Sequence, residues 1–337
     1  MPETDAKFAQ GRRLGPYGPQ VSTLGLGSWH TWDRMPFDEA VAMVRRAVDA
    51  GVTLFDVAYY NMGPHPDDSP TDLIWARAMA EAGIRREEYV FAGKLWLWDY
   101  PAQDFTKQLT ESLERVGIEK ADTAVIGDYM SIDIPAVMDD VAKQIDEGRL
   151  GSWGTNNWPY KDFAAAMEYC DKHGLPKATF VQLKYGIARR AMAEGPEYGE
   201  LFRSGQLALQ ASDTFEGGIL AGKKDTQRQI GADPGGIRQA IIGIADEVTE
   251  IAKGFGASPA QLGIAFALTN PAVANVLFGA SRMSQLEDNL GALELYQRHG
   301  DEIRAAVEHL WVDKDKVRSD GIWEFSKPPI GAGDDDK

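Results

Sequence analysis

Gly51-Val52-Thr53-Leu54-Phe55-Asp56-Val57-Ala58-Tyr59-Tyr60-Asn61 decides how the chain is read. An apolar, β-branched and aromatic run ends in a carboxylate, and two phenols follow. Short runs of this kind read as buried strands. Asp56 then falls near the strand's C-terminal end, where a barrel of alternating strands and helices keeps its chemistry. A second run, Tyr89-Val90-Phe91-Ala92-Gly93-Lys94-Leu95-Trp96, carries a lysine to a similar depth.

Working outward, the same alternation recurs. The opening from Gly11 to Val21-Ser22 predicts a small hairpin. Strands are expected at Leu24–Trp29, around Asp56, around Lys94, at Asp122–Asp128, Gly151–Gly154, Thr179–Leu183, Leu207–Ser212 and Val273–Phe278. Helices are expected between them, near 37–50, 71–82, 102–116, 135–147, 160–173, 197–202, 237–253 and 259–268. Ser69-Pro70 and Ser258-Pro259 read as helix starts, and Ser284-Gln285-Leu286-Glu287 as a capping box. A last helix is expected at 302–311. Eight such units without a linker imply parallel strands, and their number favours an α/β (β/α)8 TIM barrel with an N-terminal β-hairpin and extra C-terminal helices. The glycine-rich stretch from Gly217 to Gly236 is long for a loop, and such loops are often functional.

The chain has 337 residues, 44% of them hydrophobic, so residues 1–330 suit one large barrel domain. The polar tail Gly331–Lys337 is read as disordered or as an expression remnant. A formal charge of −16 argues against nucleic acid, which needs a basic footprint. Cys170 is the only cysteine, so no internal disulfide can form. No signal peptide and no run of about 18 apolar residues is found, and a cytoplasmic protein acting on a small molecule is expected. No cluster has metal-ligand spacing, and no membrane association is expected; an oligomer has no support in the sequence.

Four stretches resemble the aldo-keto reductases, especially the group that includes the potassium-channel β subunits. They are Arg12-Arg13-Leu14-Gly15 with Val21-Ser22-Thr23-Leu24-Gly25-Leu26-Gly27; Phe55-Asp56-Val57-Ala58-Tyr59-Tyr60; Gly154-Thr155-Asn156-Asn157-Trp158; and Phe278-Gly279-Ala280-Ser281-Arg282 with Gln285-Leu286 and Asp288-Asn289. The resemblance runs from about Gly11 to Leu295 and implies NADPH held without a glycine-rich Rossmann turn. Asn157 and Gln182 would meet the nicotinamide carboxamide. Arg282 with Ser281 would pair with the 2′-phosphate, a bidentate task that suits guanidinium. Gln285 and Asn289, four apart on a helix, would face adenine and ribose. Gly279 belongs to the same element, the helix N-terminus near Ser284 would favour phosphate, and Lys223 would close over the pyrophosphate.

Hydride reduction of a carbonyl needs a proton donor at its oxygen. A tyrosine serves if a nearby ammonium draws its pKa down from about 10, with a carboxylate holding that ammonium. The resemblance assigns these roles to Asp56 and Lys94. The family tyrosine falls at Asn61 here, so Tyr60, or less favourably Tyr59, is the expected donor. The family histidine is absent: the fourth strand ends Ile126-Gly127-Asp128. Asp128 is either a raised-pKa acid that replaces it or a solvent-facing residue; His30 and His65 are the other candidates. Trp29, His30, Tyr59, Trp96, Trp98 and Trp158 follow strand ends and predict a pocket for a bulky, ring-containing substrate. The leading expectation is an NADPH-dependent oxidoreductase acting on a carbonyl or conjugated alkene. The alternatives are a redox-neutral lyase or isomerase using bound NADP(H), and a cofactor-sensing regulatory subunit.

Overall fold

Residues 54–58 carry the pattern that generates the architecture. Leu54, Asp56 and Ala58 project to one side of the strand and Phe55 and Val57 to the other, as its two-residue repeat requires. All five are buried. Both faces are therefore covered, the condition for a parallel sheet walled by helices.

The computed structural model describes residues 11–29, 31–60, 69–129, 131–223 and 233–321. In chain order they form β1 (Arg12–Arg13), β2 (Gln20–Val21), β3 (Leu24–Gly27), α1 (Phe37–Asp49), β4 (Leu54–Ala58), α2 (Thr71–Glu81), β5 (Val90–Leu97) and α3 (Phe105–Val116). Then come β6 (Thr123–Tyr129), α4 (Ile134–Asp146), β7 (Trp153–Asn156), α5 (Tyr160–His173), β8 (Phe180–Lys184), α6 (Ala191–Glu194), α7 (Pro196–Arg203) and β9 (Ala208–Ser212). The last are α8 (Arg238–Gly254), α9 (Pro259–Leu268), β10 (Val273–Phe278), α10 (Met283–Leu290) and α11 (Ala292–Ala306).

Strands β3 to β10 pair in sequence order, and β10 also pairs with β3, closing an eight-stranded parallel barrel. This is the expected TIM barrel. The antiparallel β1–β2 pair is its N-terminal hairpin, and α11 is an added C-terminal helix packed on α9.

The hairpin plugs the end of the barrel where the strands begin. Leu14 and Val21 pack with Leu54, Val125, Phe180 and Ala274 in one buried cluster. Burying Leu14 and Val21 contributes about 1.5–3 kcal/mol each. Gly15 is forced there: its φ is 80°, and a Cβ would stand 1.7 Å from the Thr179 carbonyl oxygen. With that end sealed, the opposite rim is left for a site.

Some boundaries depart from the sequence reading. Arg282, not Ser284, is the N-cap of α10, and no side chain caps it. A capping box does form at Ser258 and Gln261, opening α9. Ser69 precedes α2, but its hydroxyl donates to Asp33 (2.9 Å) and does not cap the helix. The helix expected from Glu302 is the second half of α11, whose helical angles break at His299, beside Gly300. The expected long loop begins with a 3-10 turn at Glu216–Ala221, and residues 224–232 lie outside the described residues. Among the described residues, no helix is long and apolar enough to cross a membrane.

Candidate active site

A cavity of about 330 Å³ opens at the C-terminal ends of the barrel strands. The two-residue repeat of β4 decides which phenol reaches it. Leu54, Asp56, Ala58 and Tyr60 share a parity, and Tyr60 is 5% exposed and lines the cavity. Its ring lies 5.9 Å from that of Trp96. Tyr59 has the opposite parity and turns into the helix layer. The Arg115 guanidinium covers its ring at 3.8 Å, and Arg115 also grips Asp72 (2.6 and 2.9 Å). Tyr59 is therefore no pocket residue, because one step along a strand reverses the face.

Gln182 is the centre of the polar floor. Its Oε1 accepts from Lys94 Nζ (2.7 Å), and its Nε2 donates to Asp56 Oδ2 (2.8 Å) and Gln210 Oε1 (2.9 Å). Lysine only donates, so the amide orientation is fixed. Gln210 Nε2 continues to Asn275 Oδ1 (3.1 Å), and Asn275 Nδ2 to the Ser22 carbonyl (2.8 Å). Among the described residues no salt bridge joins Lys94 to Asp56; the expected direct pair is replaced by this amide bridge. Gln182 thus has both amide hydrogens and an oxygen lone pair committed within the protein, which leaves Asn157 as the freer amide. Asn157 Oδ1 accepts from the Lys184 backbone (2.9 Å), its backbone φ is 51°, and it lines the cavity.

The end of β6 explains Asp128. Leu95 of β5 pairs with Ile126, yet Leu97 pairs with Tyr129, so β6 holds one extra residue. Such a bulge re-aims side chains. Asp128 is thereby brought to the cavity wall. The space at Gly127 is taken by Trp96: a Cβ would come within 2.6 Å of the indole. Asn156 Nδ2 donates to Asp128 Oδ1 (3.1 Å). Burial raises the pKa of Asp128, opposed by Lys94 and Lys184. Burial also raises that of Asp56, opposed by Lys94 and by the Gln182 hydrogen bond. The Lys94 ammonium, 5.0 Å from the Trp96 ring centre, thus acts on two carboxyls.

Of the expected pocket aromatics, Trp29 and Trp96 line the cavity. Trp98 clusters with Tyr60 and Trp96 behind the wall. Trp158 is fully buried; its indole N–H donates to the Gly127 carbonyl (3.0 Å) and its ring meets Tyr129 edge-on at 5.0 Å. It braces the bulge and does not line the pocket. His30 and His65 lie outside the described residues. Histidines 299 and 309 bond to Glu302 and Glu247 in exposed positions. Among the described residues no cluster could hold a metal ion.

The same cavity is lined by Gly27, Gly217, Gly218, Lys223, Gly279, Ser281, Gln285 and Asn289. Bare backbone at four glycines, with a lysine, suits a pyrophosphate, which needs close approach and N–H donors. The loop carrying Gly217 is held by a buried pair, Arg189 Nε to Glu216 (2.9 and 3.0 Å). The residues present therefore fit a dinucleotide. Arg282 is exposed and outside the cavity wall; its carbonyl accepts from the Gln285 and Leu286 N–H groups (3.0 and 3.3 Å), and among the described residues its guanidinium makes no hydrogen bond or ion pair.

Sequence reading missed Asn156, Gln210 and Asn275. A signal existed for the last two: each is polar within an otherwise apolar strand run. Asn156 is polar beside Asn157 at the end of β7, a position whose neighbour alone matches the family pattern.

The model described as the aldo/keto reductase family matches residues 23–310. Among curated proteins, the chain is 27% identical to a probable voltage-gated potassium channel subunit beta of Arabidopsis thaliana, covering 85% of this chain and 92% of that one. It is 26% identical to a protein of the same description from Oryza sativa subsp. japonica, covering 91% and 98%. It is 25% identical to a putative channel subunit beta of Schizosaccharomyces pombe, covering 89% and 92%.

Proposed function

Because the chain belongs to the aldo/keto reductase family, we propose that it is an oxidoreductase exchanging hydride between NADP(H) and a carbonyl, or conjugated alkene, of a bulky ring-containing small molecule. One observation carries this reading. A single cavity is lined both by Tyr60, Lys94 and Asp128 and by Lys223, Ser281, Gln285 and Asn289.

A reduced nicotinamide, when bound, supplies the hydride. The chain supplies the rest. Tyr60 gives its phenolic proton to the substrate oxygen as the carbonyl carbon gains the hydride, so an alcohol leaves. Lys94 provides the positive charge that steadies the phenolate left behind, and the Gln182 bridge holds that ammonium in place. Asp128, where burial favours the protonated carboxyl, donates a hydrogen bond to the same oxygen in place of the family histidine. Asn157 orients the cofactor amide, and Trp29 and Trp96 flank the substrate ring. Arg282 and Ser281 are the candidates for the adenosine end.

The channel-subunit names of the three relatives favour a second reading, a regulatory subunit that binds cofactor without turnover. A panel of aldehydes, ketones and enones with NADPH separates the two, followed through the absorbance of the reduced nicotinamide. Turnover is expected in the native protein, with Tyr60→Phe slower by about 10²–10⁴-fold and still able to bind cofactor. Binding without consumption supports the regulatory reading. Substrate loss without net cofactor oxidation supports a redox-neutral reaction. Full turnover by Tyr60→Phe would remove the assigned proton donor.

A further inference from the structure

Helix α10 starts where the cavity ends. Ser281, just before it, and Gln285, Asp288 and Asn289 on it form that part of the wall. If a dinucleotide binds as proposed above, its adenosine ribose belongs here. A 2′-phosphate brings a charge of about −1.5 to −2 and must find N–H donors and cations.

Three donors nearest this wall are already engaged. The first N–H of the helix, that of Met283, donates to Glu39 Oε1 at 3.0 Å. Glu39 arrives from α1 and is half-buried. The Ser281 N–H and hydroxyl both donate to Gln285 Oε1 (2.8 and 3.2 Å). The charges are no more welcoming. Arg46 is engaged by Glu287 through two contacts of 2.7 and 3.0 Å. Asp288 adds a carboxylate, held by the Ser258 hydroxyl (2.7 Å). Among the described residues at this helix start, Arg282 is an exposed cation with no side-chain ion pair.

A carboxylate on a helix's first N–H stabilises the helix through its dipole. Here it also sets a negative charge on the N–H two residues after Ser281 of the cavity wall, where it repels an incoming phosphate. A ribose 2′-hydroxyl carries no charge to be repelled. We propose that Glu39 is a cofactor-selectivity residue: its carboxylate, seated on the first N–H of α10, disfavours a 2′-phosphate, so that the chain accepts NADH about as readily as NADPH. This rests on the dinucleotide reading and corrects one detail of it, the preference for the phosphorylated form.

The test is equilibrium binding, which needs no turnover. Native protein and Glu39→Gln are titrated with NADPH and NADH, and with adenosine 2′,5′-bisphosphate and AMP as half-molecules, by calorimetry. Glutamine keeps an oxygen for the Met283 N–H, so α10 retains its start. The native protein is expected to bind NADPH and NADH within about threefold of each other, and Glu39→Gln to raise the NADPH-to-NADH affinity ratio by about tenfold or more. The half-molecules should show the same change of ratio. A native preference for NADPH of about a hundredfold overturns the inference, and needs no variant to read. An unchanged ratio in Glu39→Gln overturns it too. If neither dinucleotide binds native protein, the cofactor reading itself fails.

Discussion

Replacing Gln182 by methionine tests the floor of the site. Methionine is close to glutamine in volume, so packing changes little. The hydrogen bonds do change: those to Lys94 (2.7 Å), Asp56 (2.8 Å) and Gln210 (2.9 Å) all go. Lys94 borders the cavity and can be rehydrated. Asp56 Oδ2 and Gln210 Oε1 are far less accessible to water, their residues being 4% and 0% exposed. A buried polar group left without its partner costs about 1–3 kcal/mol, so two cost about 2–6 kcal/mol. That is a large part of the roughly 5–15 kcal/mol that holds a typical domain together. Urea denaturation followed by tryptophan fluorescence measures the loss. The loss should also depend on pH. Burial raises the folded pKa of Asp56, and the Gln182 bond opposes that rise. The folded state therefore holds the Asp56 proton more tightly than the unfolded chain does. Stability from this group is complete below the unfolded value of about 3.9 and falls as pH rises through the folded value. Without the amide the folded value climbs further, so the loss should be larger at neutral pH than near pH 4. A loss below about 1 kcal/mol, or one larger in acid, would refute the bridge.

Three further outcomes follow from the same geometry. Gly127→Ala puts a Cβ within 2.6 Å of the Trp96 indole and 3.0 Å of the Leu95 carbonyl; about 1–3 kcal/mol of stability should be lost, with substrate KM rising more than cofactor Kd, and a neutral result would show the indole yields freely. Asp128→Asn removes a carboxyl whose folded pKa is raised by burial, so the variant should gain stability over native protein as pH rises from about 4 to 7, read by urea denaturation at both ends, and a gain confined to acid would contradict this. Trp158→Phe keeps the ring but loses the N–H on the Gly127 carbonyl; it should lose about 1 kcal/mol and lower kcat through a loosened β6 bulge, whereas native stability and kcat would show that the bulge needs no brace.

Much of this architecture could be read from local patterns. The alternating strands and helices announced the barrel, and parity along β4 already distinguishes Tyr60 from Tyr59. Asp56 and Lys94 reach the cavity from strand positions that the sequence identified. What was hidden depends on contacts far apart in the chain. Gln182 and Asp56 are 126 residues apart, and Glu39 and Met283 are 244 apart. No local pattern predicts that an amide comes between Lys94 and Asp56. The β6 bulge was hidden for another reason: its visible sign is a glycine before an aspartate, which also suits an ordinary turn. Trp158 misled because an aromatic residue after a strand end can point either to the cavity or to the helix layer. The capping pattern at Ser284 misled because chain entry from β10 fixes the start of α10 earlier, at Met283.

The most direct measurement uses nicotinamide cofactor carrying deuterium at the reactive ring carbon, with a substrate that the panel shows to be consumed. Mass spectrometry of the alcohol should find one deuterium, bound to the former carbonyl carbon, with the hydroxyl hydrogen drawn from solvent by way of Tyr60. Product formed with the deuterium still on the cofactor would contradict the account.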